Sequence, residues 1–308
     1  MTYADVRQHA QQIADATKNR VMPPWPPESG HGEFARSRRL SDDQIDVIQR
    51  WVANGAPQGD PGSVPAPPAW PETWQLGRPD LVLQLPQPYT LPADGGDLFR
   101  SFAIPLPIAS RQYVRGVEFR PTNGRLVHHA VIHTHLMPTG KPETLQFQIG
   151  FYFSDAAPVD EPVMLRLGSE LIDIEPGEKE YPVNARYTLP VDVQVLSVYP
   201  HAHSLAKEMK AFAILPDGTI TWLIWIKDWN FNWQDVYTYD RPVLLPRGTL
   251  LSMRYTFDNS GGRGHQTHGP PRRVVYGPRS TDEMADLWLQ VLPRNASDAA
   301  ILQRDRLR

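Results

Sequence analysis

Six of the ten histidines fall in two short clusters: His128, His129, His133 and His135, then His201 and His203. Successive side chains of a strand alternate between its faces, so His201 and His203 project from one face and can share a metal ion. The same spacing joins His133 to His135 and, in a straight strand, to His129. His128 points the other way unless the strand bends at the His128-His129 pair. A neutral imidazole nitrogen is a good donor to Zn, Cu, Fe and Ni, and a nearby thioether tips the choice towards copper, above all Cu(I). Candidate thioethers after the clusters are Met209, Met253 and Met284. Met253 lies in an apolar run and reads as core, the usual fate of methionine, whereas Met284 sits in the polar stretch TDEM, where packing absorbs it less readily. His265 and His268, in GGRGHQTHG, read as loop residues, and His9 and His31 as surface residues.

Other chemistries have little support. The chain has no cysteine, which excludes disulfides, thiolate metal sites, cysteine nucleophiles and thioether-attached haem. No GxSxG, P-loop, GxGxxG or HExxH pattern is present, and Ser204 beside His203 faces away from it on a strand. With 31 basic and 34 acidic side chains the net charge is -3, without the basic surplus that phosphate neutralisation requires, so nucleic acid is not an expected partner. No apolar run reaches the ~18 residues of a membrane span, and the first residues lack the charged-then-apolar pattern of a signal peptide.

The elements that must position the histidines are strands. In 308 residues there are 32 prolines, a density hard to reconcile with long helices. Helical spacing is confined to the start. Val6, Ala10, Ile13 and Ala14 make one stripe before the rigid run MPPWPP, and Ser41 opens a second helix with Gln44 closing a capping box and Gly55 as its stop. GDPGSVPAPPAWP, residues 59–71, reads as a linker. From Pro79 on, short runs such as DLVLQL, YVRGVEFR, VDVQVLSVY, MKAFAIL, TLLSMRYTF and LWLQVL alternate or are rich in β-branched and aromatic residues, which predicts an antiparallel sandwich or barrel. In TWLIWIKDWNFNWQ the tryptophans recur at helix-like intervals, but the β-branched composition and the preceding Pro216-Asp217-Gly218 turn favour a strand followed by an aromatic loop.

The motifs VHHAVIH, HTHLMPTGKPE, YPHAHSLAKEMKAFAILPDGT, IKDWNFNWQDVY, LPRGTLLSMRYTFDNS and GPRSTDEM, in this order, resemble the copper type II, ascorbate-dependent monooxygenases, specifically the bacterial group with a cytochrome c-like segment in front. The resemblance runs from about Thr2 to Val291. It implies a mostly β fold of two antiparallel, jelly-roll-like β-sandwich domains, preceded by a small α-helical cytochrome c-like remnant. The implied division is 1–60 for the remnant, 61–78 for a proline-rich linker, 79–158 for a shortened first copper domain, 159–292 for the second, and 293–308 for a polar tail.

Carried over residue by residue, the resemblance implies two copper ions. His128, His129 and His135 would hold the first, an electron store, and His201, His203 and Met284 the second, where O2 and a C–H bond of a small organic substrate react at the expense of an external, ascorbate-like reductant. Only five residues separate His129 from His135, where the family has some tens, so the first site is the less complete and one copper is the alternative count. The rival reading is a non-catalytic copper-binding or electron-transfer module descended from such an enzyme. At the positions where the peptide-amidating relatives hold their substrate carboxylate this chain has Tyr199, Asp286 and Trp288, so a glycine-extended peptide is not an expected substrate. Met22 matches the place of an axial haem thioether, yet a covalent c-type haem is impossible in a chain without cysteine. An exported, periplasmic location and an electron-transfer partner are implied by the resemblance alone.

Overall fold

Local signals near the start form as their spacing predicts. Thr2 caps α1 (Tyr3–Gln8), its hydroxyl accepting the Asp5 N–H while the Asp5 carboxylate accepts the Thr2 N–H. The chain breaks at His9 and resumes as α2 (Ala10–Lys18). Ser41 caps α3 (Asp42–Ala53): its hydroxyl accepts the Gln44 N–H at 3.2 Å and the Gln44 amide oxygen accepts the Ser41 N–H at 2.9 Å. Gly55 ends the helix at φ +81°, a backbone conformation that favours glycine.

The structure is a computed structural model that describes residues 2–63, 74, 76–93, 98–99, 102–121, 127–130, 134–136, 142–158, 160–261 and 270–305, with the backbone alone for residues 61, 98–99, 127–130, 134–136, 143, 145 and 305. In chain order the strands are β1 (Leu81–Gln84), β2 (Tyr89–Leu91), β3 (Leu98–Phe99), β4 (Tyr113–Pro121), β5 (Val127–Ala130), β6 (Thr134–Leu136), β7 (Glu143–Leu145) and β8 (Phe147–Ser154). They continue as β9 (Val163–Gly168), β10 (Asp173–Ile174), β11 (Tyr181–Thr188), β12 (Val193–Ala202), β13 (Ala206–Ile214), β14 (Ile220–Ile226), β15 (Tyr237–Leu245), β16 (Leu250–Phe257), β17 (Val274–Val275) and β18 (Ala285–Pro293), before α4 (Ala299–Asp305). The fold is mostly β, with antiparallel pairing throughout the named strands. The tryptophan run divides into β14 and an aromatic loop, and Gly218 takes φ +86° in the turn before it.

The chain forms two compact units, one of residues 66–159 and the other of residues 1–65 with 160–308. The first holds the sheets β1-β8-β4, β2-β7 and β3-β6-β5 around a small core of Leu85, Leu91 and Phe147. In the second, β11-β16-β13-β14 and β15-β12-β18-β9 stack as a sandwich. Its core alternates along each strand, with Val195, Val198, Ala202, Leu287 and Leu289 from one sheet and Ala211, Ala213, Leu251, Met253 and Phe257 from the other, none more than marginally exposed. Met209 is buried in the same core, so neither Met209 nor Met253 is available as a ligand.

Both ends of the chain pack into the sandwich unit. The leading segment, expected as a separate remnant over 1–60, is built into the sandwich unit. Pro27 bridges Ile226 of β14, Phe34 bridges Tyr239 of β15, and β14 and β15 are the end strands of their sheets, so the segment covers exposed ladders. Backbone bonds from Glu28 N–H to Trp225 C=O (2.7 Å), Ala35 N–H to Thr238 C=O (2.9 Å) and Asp240 N–H to Glu33 C=O (2.9 Å) fix it there. Its aromatic rings do the rest: Trp25 meets Tyr237, Phe34 meets Tyr237 and Tyr239, and His31, expected at the surface, lies half-buried with its ring 4.7 Å from Trp222 and 4.5 Å from Trp225. At the other end, residues 293–308, expected as a polar tail, include α4, whose Leu302 is fully buried in the sandwich core with Ala299 and Ile301 packed beside it. An i, i+2, i+3 apolar face is enough to dock so short a helix. Met22 is exposed, at the cis peptide bond before Pro23.

Candidate metal centre

A bulge in β12 decides where His201 points. Val193 and Val195 face the core, and strict alternation from them would turn residues 197, 199 and 201 inward as well. The register of β12 against both β15 and β18 slips between Val195 and Ser197. Beyond the slip Val198, Pro200 and Ala202 are the buried set, and Tyr199 and His201 stand half-buried on the opposite face. One extra residue in the ladder has reversed the phase of the strand. Pro200, lacking an N–H, is tolerated because the β15 ladder has ended at the Val198–Tyr237 pair.

Across the sheet, His201 pairs with Asp286 and Ala202 with Ala285, the last pair of the ladder; His203 and Met284 come next on the two chains, and both give their backbone N–H to one oxygen of Glu283. Met284 is half-buried, unlike the two core methionines.

Both imidazoles are oriented through Nδ1. Gln234 donates its amide N–H to the Phe231 carbonyl at 3.0 Å, which turns its Oε1 towards His201 Nδ1 at 2.7 Å and makes that nitrogen the donor. The Tyr199 ring stacks on His201 with its hydroxyl 3.4 Å from the same nitrogen. His203 Nδ1 lies 3.0 Å from the Asp282 carbonyl oxygen, an acceptor, so it too carries its proton there. With hydrogen on Nδ1 in both rings, Nε2 holds the lone pair that would bind a metal, the arrangement usual for ligating histidines. The rings sit 5.4 Å apart at 85°, and Phe231 meets the edge of His203. Trp229, buried, donates its indole N–H to the His203 carbonyl at 3.0 Å.

Glu283 ties the arrangement together and is missed by motif reading. Its carboxylate is inaccessible to solvent. One oxygen accepts the backbone N–H of His203 and that of Met284 (2.9 Å), and the other accepts the N–H of Leu205 (2.9 Å). Burial pushes the carboxyl up to about 8, and the three N–H donors pull in the opposite direction. Gln234, Asp282 and Trp229 were likewise invisible in the sequence, where Gln234 is 33 residues from the histidine it orients. The one signal was their presence inside the WNFNWQDVY and TDEM stretches.

The same face continues with Trp288 opposite Tyr199 and Arg166 opposite Trp288. The Arg166 guanidinium binds Asp286 Oδ1 at 2.8 Å and also approaches Glu170 at 3.6 Å. Burial raises the Asp286 carboxyl while Arg166 opposes that shift, and the Tyr199 hydroxyl is held well above its ordinary range by burial and by Asp286. Arg166 is thus neutralised by its neighbour rather than presented to an anionic ligand.

In the other cluster, His128 and His129 lie in β5 and His135 in β6, which pair antiparallel through Val127 with Leu136 and Ala130 with Thr134. The side chains of these three histidines lie outside the described residues, as do His133, His265 and His268 altogether. Among the described residues no group of three or more His, Cys, Asp or Glu side chains is placed to hold a metal ion. His201, His203 and Met284 have a different composition, two imidazoles and a thioether, and an N,N,S donor set of that kind is one that copper favours.

No family model matches the chain, and no curated protein matches it. Among solved structures it is similar to the infectious bursal disease virus VP2 subviral particle, at 11% identity and a TM-score of 0.26 over 48% of this chain and 37% of that one. It is also similar to the Gt strain of that virus, at 11% identity and a TM-score of 0.20 over 49% of this chain and 46% of that one. A third likeness is to the Gx strain, at 12% identity and a TM-score of 0.20 over 67% of this chain and 66% of that one. The chain thus spans less than two thirds of the length of each.

Proposed function

We propose that this chain is a copper-dependent monooxygenase. It takes O2, two electrons from an external, ascorbate-like reductant and two protons, and converts a C–H bond of a small organic substrate to C–OH with release of water. Bound copper would supply the one-electron chemistry with O2 that side chains lack. His201 and His203 would hold it through Nε2, their rings fixed by Gln234 and Asp282, and Met284 would add the soft ligand that favours the reduced ion. His128, His129 and His135 would hold the second copper. Tyr199 and Trp288 supply an aromatic wall beside His201, and the Arg166–Asp286 pair leaves the face without a free guanidinium for a peptide carboxylate. Export to the periplasm and an electron-transfer partner belong to the same proposal.

The observation that carries this reading is a pair of imidazoles, both with Nδ1 tied to an oxygen, beside a half-buried methionine whose backbone N–H shares a Glu283 oxygen with that of His203. Metal analysis of copper-reconstituted protein, combined with ascorbate-driven O2 uptake, tests it. Two coppers per chain with uptake that Met284→Leu abolishes support the enzyme. One copper without uptake replaces it with the non-catalytic copper module, and retained zinc with no redox response overturns both.

A further inference from the structure

We infer that Glu283 is a positioning residue that sets the separation of the His203 imidazole and the Met284 sulfur, an inference that rests on the copper reading above. Ligands drawn from two strands share a metal only if their backbones are held in fixed register, and ladder bonding has stopped here: β12 ends at Ala202 and β18 begins at Ala285. Where the ladder ends, one carboxylate takes over. A single oxygen of Glu283 accepts both the His203 and Met284 N–H groups, and the other oxygen anchors Leu205 at the start of the next strand. The preceding residue completes the link, because the Asp282 carbonyl orients the His203 ring. Residues 282–284 therefore carry one ligand and orient the other. The side chain is wholly inside the protein, so it is not itself presented to copper, O2 or substrate from solvent.

Glu283→Gln is close to isosteric but puts an NH2 group against one of three N–H donors, so the side chain must turn and release part of the clamp. Cu(I) bound to the full chain is read by X-ray absorption for its Cu–S component, and its affinity by competition with a Cu(I) chelator. In the Gln variant the Cu–S component should lengthen or vanish and Cu(I) affinity should fall about 10–100-fold, the range for residues that orient metal ligands. Glu283→Asp keeps the carboxyl group but withdraws it by one methylene, and should give a smaller loss; it is the variant to read if the Gln form does not accumulate. A thermal melt accompanies each. A lowered melting temperature with an unchanged Cu–S distance and affinity would overturn the inference, leaving Glu283 a purely structural residue. If wild-type protein shows no sulfur-ligated Cu(I), the monooxygenase reading fails; if it does and both variants match it, that reading stands and only the role of Glu283 falls.

Discussion

Truncating Phe34 to alanine asks whether the leading segment is part of the sandwich or a passenger on it. The Phe34 ring has its centroid 5.1 Å from Tyr239, 5.4 Å from Tyr237 and 6.3 Å from Trp25, and it packs on the main core while remaining half-exposed. Removing a fully buried phenylalanine costs ~3–5 kcal/mol, and a half-buried ring with three aromatic partners retains about half of that, roughly 2 kcal/mol. For a cooperative unit of this size, ~2–4 °C is lost per kcal/mol, so the variant should melt about 4–8 °C below wild type. Urea unfolding followed by tryptophan fluorescence measures the same quantity, because Trp25, Trp222, Trp225 and Trp229 all lie in this unit. The loss should appear in the single transition that unfolds the sandwich. A variant that melts with wild type, or that loses only an early, separate transition while the main one stays in place, would refute the claim that this segment seals the edges of β14 and β15.

The remaining predictions bear on the same packing and on the centre it supports. Gly32→Ala should be more damaging than a surface substitution, since φ is +110° there and an added Cβ would lie 2.6 Å from the Leu223 carbonyl oxygen; a lowered urea midpoint with looser protection of the Ala35 amide is the expected result. Trp229→Phe removes the indole N–H from a buried carbonyl, which should cost about 1–3 kcal/mol in urea unfolding and alter the Cu(II) electron paramagnetic spectrum through His203. Gln234→Ala takes away the acceptor that holds the His201 tautomer, so copper affinity should fall about 10-fold or more with little change in melting temperature, as a chelator competition would show.

Much of the scaffold was legible because its causes are local. Ser41, Gln44 and Gly55 delimit a helix within a few residues, the Pro216-Asp217-Gly218 turn separates β13 from β14, and an H-x-H spacing places two imidazoles on one face of any strand. Which face it is could not be read. That depends on the slip between Val195 and Ser197, a mismatch between β12 and its two partner strands, and without it His201 would point into the core. Distance along the chain hid the rest. The leading residues cover strands some two hundred positions later, Leu302 completes a core begun at Val163, and Gln234 and Asp282 orient imidazoles 33 and 79 residues upstream. Chemistry-bearing side chains declare themselves by type and spacing, whereas the groups that aim them are chosen by register and burial, which exist only once the strands have met.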